Sequence, residues 1–285
     1  MKVLVTGSQG QLGKSIERLR KGFPSLDFVF TTREVLDITN PDMLSAAFSE
    51  HSPDYCINCA AYTAVDKAEE EPAQAFSINA DGVGFLAKCC QEYNTTLIHL
   101  STDFVFDGKS PRPYTEEDTP APLSVYGRSK WEGERIIEST LHRYFIIRTS
   151  WVFSEYGRNF LKTMLKLSKE RDELKVVDDQ IGRPTYAVDL ARYILELIES
   201  ATPPMGLVHF ANQGEYSWYG FAQEIFRKAG IFVKLHPIKS KDYPALAKRP
   251  VYSVLNTAKA EQILGTSIPR VENAIERCLQ QLHVE

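Results

Sequence analysis

Short apolar runs and longer stretches with helical spacing alternate along the first half of the chain. KVLVT leads into QLGKSIERLRKG, DFVFTT into a helix from Pro41 behind an Asn40 cap, and YCINCA into a helix from about Pro72 to Tyr93. TLIHLST then leads into YGRSKWEGERIIEST, and YFIIRTS closes the series. Strands that read as near-continuous apolar runs are covered on both faces, and strands separated by helices pair in parallel through right-handed crossovers. The pattern predicts an α/β fold of Rossmann type, a doubly wound parallel sheet, over residues 1–150.

After Ser150 the alternation loosens. A helix near Gly157 to Lys169 is followed by LKVVDD, by GRPTY leading into VDLARYILELIES, by GLVHFAN, and by a stretch rich in Lys, Pro and Tyr from Lys234 to Tyr252. Residues 151–285 are expected to form a smaller C-terminal substrate-binding cap. Segments near 174–200 and 206–212, with LKVVDD and GLVHFAN as their strands, are expected to return to the main sheet.

Composition narrows the function classes. A chain of 285 residues buries a sizeable core without metal or disulfide support. A net charge of −4 with no basic stripe gives no electrostatic footprint for nucleic acid. No apolar run approaches a membrane span, and MKVLVTG is too short an apolar run for a signal peptide, so a cytoplasmic protein is expected. The five cysteines are an odd number. Cys56 and Cys59 lie in an apolar run, and Cys89, Cys90 and Cys278 lie in helical patterns. No second pair follows Cys56-Ile-Asn-Cys59 at metal-ligand spacing, so these thiols read as buried core.

Candidate chemistry sits at strand exits, where ligands bind in open α/β sheets. The first strand runs into Gly7-Ser-Gln9-Gly10-Gln11-Leu12-Gly13 and then a helix. Gly7 permits a tight exit, Gly10 lets backbone N–H groups approach a pyrophosphate at the helix N-terminus, and Gly13 lets the helix pack close. Strand before and helix after turn this glycine spacing into a dinucleotide site. The second strand ends at Thr31, Thr32 and Arg33 without the carboxylate that would bind a ribose 2′-hydroxyl, and Arg33 is placed to pair with a 2′-phosphate. NADPH is favoured, with NADH still open. Asp37 and Ile38 offer a carboxylate and an apolar wall for adenine.

TLIHL opens into Ser101-Thr102-Asp103, a pair of hydroxyls and a carboxyl at a strand's carboxyl end. Some twenty-four residues on, Tyr126 and Lys130 share one face of a helix. With thirteen tyrosines in the chain, about one Tyr-x-x-x-Lys arises by chance, so the spacing alone proves nothing. Its position after the glycine loop and the hydroxyl-bearing strand changes that. A phenol is a poor acid at neutral pH, and a nearby ammonium lowers its pKa. With Lys130 tuning Tyr126 and Thr102 holding a carbonyl oxygen, the set suits hydride addition to a ketone, the proton coming from Tyr126.

GSQGQLG, NCAAYTAVDKAE, STDFVFDG, YGRSK and RTSWVF resemble the extended short-chain dehydrogenase/reductases, and within them the dTDP-4-dehydrorhamnose reductase family. The resemblance runs the length of the chain, and STDFVFDG with YGRSK is its specific part. It implies NADPH- or NADH-dependent reduction of the C4 keto group of a dTDP-4-keto-6-deoxy sugar by a monomer or homodimer. It also implies that Tyr126 gives the proton with Lys130 and Thr102 as partners, that Trp151 and Asn159 hold the sugar nucleotide beside Asp103, and that Ala60, Ala61, Tyr62 and Thr63 line the cofactor. Arg183, Arg249 and Tyr252 are cap candidates for the nucleotide. Some members bind magnesium through glutamates where this chain has Ser15 and Val188, so no metal site is expected. Related sugar-nucleotide dehydratases carry a glutamate where Phe104 stands, which weighs against elimination and less against epimerisation. A non-catalytic regulatory subunit of the same fold is the remaining alternative.

Overall fold

The computed structural model describes residues 1–200 and 204–282, so positions 201–203 and 283–285 of the expected cap lie outside the described residues. The first half contains β1 (Lys2–Thr6), α1 (Gln11–Leu19), β2 (Asp27–Phe30), α2 (Pro41–His51), β3 (Tyr55–Asn58), α3 (Val65–Glu70), α4 (Pro72–Phe76), α5 (Gly82–Glu92), β4 (Thr96–Thr102), α6 (Val125–Thr140) and β5 (Tyr144–Thr149). The second half contains β6 (Val152–Phe153), α7 (Phe160–Glu170), β7 (Glu173–Val177), β8 (Ile181–Gly182), β9 (Thr185–Tyr186) and α8 (Ala187–Glu199). It continues with β10 (Gly206–His209), β11 (Tyr216–Ser217), α9 (Trp218–Ala229), β12 (Lys234–Ile238), α10 (Ala258–Leu264) and α11 (Val271–Leu282).

Six strands form one sheet in the order β10-β5-β4-β3-β1-β2, every pair parallel. The apolar runs are divided between its two faces by the two-residue period of a strand. Val3, Val5, Ile57, Ile98, Phe145 and Ile147 point to one side, where Leu12 and Ile16 of α1 and Leu190 and Ile194 of α8 cover them. Leu4, Cys56, Leu97 and Ile146 point to the other, against Leu44 and Phe48 of α2, Val83 and Leu86 of α5, and Ile137 of α6. Covering on both faces is why these strands carry few polar residues. The strand order reverses at β1, whose neighbours are β2 and β3, so the crevice for a ligand opens at their carboxyl ends.

GLVHFAN supplies β10, the edge strand beside β5. LKVVDD does not return to this sheet, contrary to expectation. It forms β7, which pairs in parallel with β12 in a separate two-stranded sheet. Glu173 and Lys175 are exposed while Leu174 and Val176 are buried, a one-sided pattern unsuited to a sheet covered on both faces. The buried side faces a second core built from α7, α9 and α11. Helix α8, from the same segment, packs beside α1 on the main sheet.

The helix expected from Pro72 to Tyr93 is broken into α4, a π-helical turn at Ser77–Asp81, and α5. The helix expected near Gly157 begins instead at Phe160, where the Asn159 side chain caps it by accepting from the Lys162 N–H. No helix among the described residues is long and apolar enough to cross a membrane.

Candidate active site

The glycine loop after β1 is built from backbone. Gly7 has φ +61°, and a Cβ there would lie 2.7 Å from the Ala60 nitrogen. A Cβ on Gly13 would lie 2.5 Å from the Ser8 Cα, so α1 approaches the loop as closely as only glycine allows. Gly10, at the N-cap of α1, has φ −70° and no such crowding. Its lack of a side chain keeps the helix end open rather than relieving strain. No side chain caps that end and no acidic residue occupies its first turn, which leaves an uncompensated positive helix terminus suited to a phosphate.

A crevice of about 270 Å³ opens beside it, lined by Gly7, Gln9, Gly10, Thr32, Arg33, Asp37, Ile38, Ala60 and Ala61 of the predicted residues. Glu34, Leu36, Cys59 and Ile78 also line it. Arg33 is exposed at the rim and its Nε donates to Asp37 at 3.3 Å. Burial works against the Asp37 carboxylate, but the Thr39 N–H and hydroxyl and Arg33 hold its pKa below the ordinary value. The other predicted cofactor residues face elsewhere. Leu12 enters the core, the Tyr62 hydroxyl donates to Glu71, and Thr63 is exposed. The Gln11 amide turns toward the second half of the chain, donating to the Val152 carbonyl and accepting from Ser154 and Asn159.

The second cluster lies along β4 and the first turns of α6. Register places Thr6, Asn58 and His99 side by side on β1, β3 and β4. β4 runs three residues further, to Thr102, which therefore stands roughly 10 Å beyond that row at about 3.3 Å per residue. Ser124 caps α6 by accepting from the Gly127 N–H, and the Val125 N–H donates to Glu69. A Cβ on Gly127 would lie 2.3 Å from the Phe104 carbonyl oxygen, so the glycine of YGRSK lets the helix sit directly on the strand exit. Tyr126 lies in that first turn, its ring meeting Phe104 edge-on at 5.8 Å.

Burial pushes the Tyr126 phenol up to about 12; the neighbouring Thr102 hydroxyl pulls it down, and the Asp103 carboxylate pushes it further up. Asp103 is itself buried, which raises its carboxyl to about 7 although Ser253 and Thr102 donate to it. Lys130, on the same face one turn on, is 2% exposed. Burial draws its ammonium down to about 8, against the attraction of Glu134. Its Nζ donates to the Leu100 carbonyl at 2.6 Å and lies 3.2 Å from His99 Nε2. The expected pairing, an ammonium depressing the phenol's pKa, is therefore not what this arrangement has. Lys130 is engaged with β4, and the phenol is a weaker acid than in water. The Ser101 hydroxyl is buried with no partner.

The remaining predicted residues are dispersed. Trp151, two residues past β5, has φ +48°, a rare conformation for a bulky residue, and stacks on Trp218 with ring centroids 3.6 Å apart. The Asn159 amide is consumed by Gln11, Ser154 and Tyr156. Arg183 donates to the Leu255 carbonyl and pairs with Glu215, its Nε buried without a partner. Arg249 pairs with Asp66 at the start of α3, and Tyr252 donates to Glu215. The Ser15 hydroxyl bonds the Gln11 carbonyl, and Val188 lies in the second core.

The residue reading missed Asn58, His99 and Asn79. Asn79, in the π-helical turn, holds the Tyr62 backbone and donates to Ser129. A π-turn has no sequence period to reveal it, whereas the signal for His99 was available, an imidazole enclosed by the apolar residues of LIHL.

The profile of the RmlD substrate binding domain family matches residues 1–284. A dTDP-4-dehydrorhamnose reductase of Aggregatibacter actinomycetemcomitans is 43% identical over 274 residues, covering 93% of each chain. That of Escherichia coli K12 is 38% identical over 99% of this chain and 98% of its own. Among solved structures, a dTDP-4-dehydrorhamnose reductase of Bacillus anthracis in complex with NADP superposes with a TM-score of 0.94 at 39% identity, over 98% of this chain and 99% of its own. A UDP-glucose 4-epimerase of Thermus thermophilus, at 18% identity and a TM-score of 0.84, shares the fold. With the glycine loop, the Thr102–Tyr126–Lys130 cluster and likeness along its whole length, the chain belongs to the RmlD substrate binding domain family, alongside the dTDP-4-dehydrorhamnose reductases.

Proposed function

We propose that the protein reduces the C4 keto group of dTDP-6-deoxy-L-lyxo-4-hexulose to give dTDP-L-rhamnose, using NADPH and accepting NADH. The observation that carries this reading is the placement of Thr102 at the end of β4 and of Tyr126 and Lys130 in the first turns of α6, on the edge of the sheet that also bears an uncapped helix N-terminus. The residues present suit the dinucleotide. The α1 terminus takes the pyrophosphate, Arg33 takes the 2′-phosphate by exchanging its Asp37 contact for a stronger one, and Leu36, Ile38 and Ile78 offer apolar surface to the base. When bound, nicotinamide supplies the hydride.

Tyr126 gives the proton to the C4 oxygen, and Thr102, whose hydroxyl neighbours the phenol, orients both. A phenol at about 12 gives its proton quickly only when a positive charge stabilises the phenolate, and that charge is the Lys130 ammonium. Trp151 and the groups around Arg183 bind the sugar nucleotide. The test is oxidation of NADPH on adding the dTDP-4-keto sugar. No oxidation, under conditions where the Escherichia coli relative turns over, sinks the reading.

A further inference from the structure

A row of buried polar side chains crosses the sheet beneath the strand exits. The Thr6 hydroxyl donates to Asn58 Oδ1 at 2.7 Å, Asn58 Nδ2 lies 3.0 Å from His99 Nδ1, and His99 Nε2 lies 3.2 Å from Lys130 Nζ. The Asn58 amide is oriented by a group that can only donate, the Ala60 backbone N–H, which bonds Oδ1 at 3.2 Å. Asn58 Nδ2 therefore donates to His99 Nδ1, which must be the bare nitrogen of the ring. A neutral imidazole then carries its proton on Nε2, the atom that faces Lys130. Complete burial is the leading cause that holds the His99 pKa well below the ordinary value, and it keeps the ring neutral whether or not Lys130 is charged.

An N–H facing Nζ needs an acceptor, and an ammonium has none. We propose that His99 is a positioning residue, fixed by Asn58 as the Nε2–H tautomer, that holds Lys130 as an uncharged amine in the ligand-free protein, so that seating an anionic dinucleotide in the crevice is coupled to uptake of one proton by Lys130. The proton passes from solvent to Nζ, converting the amine to the ammonium. Its hydrogen-bond count follows: the amine donates to Leu100 and accepts from His99, whereas the ammonium has no lone pair left for Nε2–H and is turned from His99 toward the face carrying Tyr126. The depressed Lys130 pKa runs in the same direction.

The other ionisable groups around this row are Tyr126 and Glu134 on α6, Asp103 at the end of β4, and Arg148 on β5. Arg148 neutralises Glu134 through a buried pair at 2.6 Å, and Asp103 faces Ser253 and Thr102. Asp103 is the competing proton acceptor.

The inference rests on the dinucleotide reading, and the test separates the two. Isothermal titration of NADPH into the full chain at about pH 9, one unit above the Lys130 value of about 8 so that the amine predominates, in buffers of different ionisation heat, counts protons exchanged. The expected result is uptake approaching one proton per dinucleotide. Asn58→Asp keeps the shape but accepts from His99 Nδ1–H, which turns a bare Nε2 toward Lys130 and lets it stay charged; uptake is lost. His99→Gln, whose amide oxygen accepts from the ammonium, loses it too, and Asp103→Asn retains it. Binding without proton uptake in the wild type, uptake unchanged in both Asn58→Asp and His99→Gln, or uptake lost only in Asp103→Asn overturns the inference while the cofactor reading stands. Absence of NADPH and NADH binding overturns both.

Discussion

The two strand exits solve their problems with different materials. At the exit of β1 the work is done by backbone: glycines whose conformation or crowding excludes side chains, and a helix end with no cap. At the exit of β4 it is done by side chains packed out of water, where a phenol, a carboxyl and an ammonium are all displaced from their ordinary pKa values. A backbone site is set once the chain folds. A buried ionisable site has a second variable, its protonation state, which depends on what else is bound.

The sharpest break between the two exits comes from Tyr126→Phe. It should lower kcat by a factor of about a hundred or more, the scale of lost general acid catalysis, while leaving the Kd for NADPH unchanged. Equal loss in binding would show that the exits do not act separately. Next is the pH dependence of stability. Asp103 is bound more tightly to its proton in the folded than in the unfolded chain, so its contribution is full below about pH 4 and declines as pH rises through about 7. Compared with wild type, Asp103→Asn should flatten the melting curve across that window by about 1–3 kcal/mol. An unaltered difference between pH 4.5 and 7.5, set by about those two ordinary and raised values, would falsify the buried carboxyl's role.

At the backbone exit, Gly13→Ala forces a methyl into Ser8 and should cost about 1–3 kcal/mol in denaturant melts. Gly10→Ala should leave stability unchanged and weaken dinucleotide binding, since nothing crowds its Cβ but Gly7. If both glycines cost the same stability, Gly10 is structural. The smallest effect is Arg33→Ala, with NADPH affinity falling about tenfold, the worth of one charge-assisted contact, and NADH affinity little changed. Equal losses for the two dinucleotides would remove Arg33 from the 2′-phosphate.

The sheet was legible because each strand's demand is local. A run such as KVLVT must be covered on both faces wherever it lies, and β1, β3, β4 and β5 are so covered. LKVVDD was misplaced because a five-residue strand is assigned to a sheet by its partner, here Lys234–Ile238, some sixty residues away. The break in the Pro72 to Tyr93 helix was invisible for a related reason. A π-turn is selected by what Asn79 reaches across the chain, not by periodicity.

The sequence by itself determined the two strand exits, the glycine loop and the residue types of the catalytic set, since strand-to-helix spacing places them on one edge of any parallel sheet. Only the tertiary structure decided their states. Whether Lys130 faces Tyr126 or His99, and whether Tyr126 is a stronger or weaker acid than in water, depends on burial and on hydrogen bonds from β3 and β4. Proton affinity is set by surroundings within a few ångströms, and those surroundings come from residues distant in the chain.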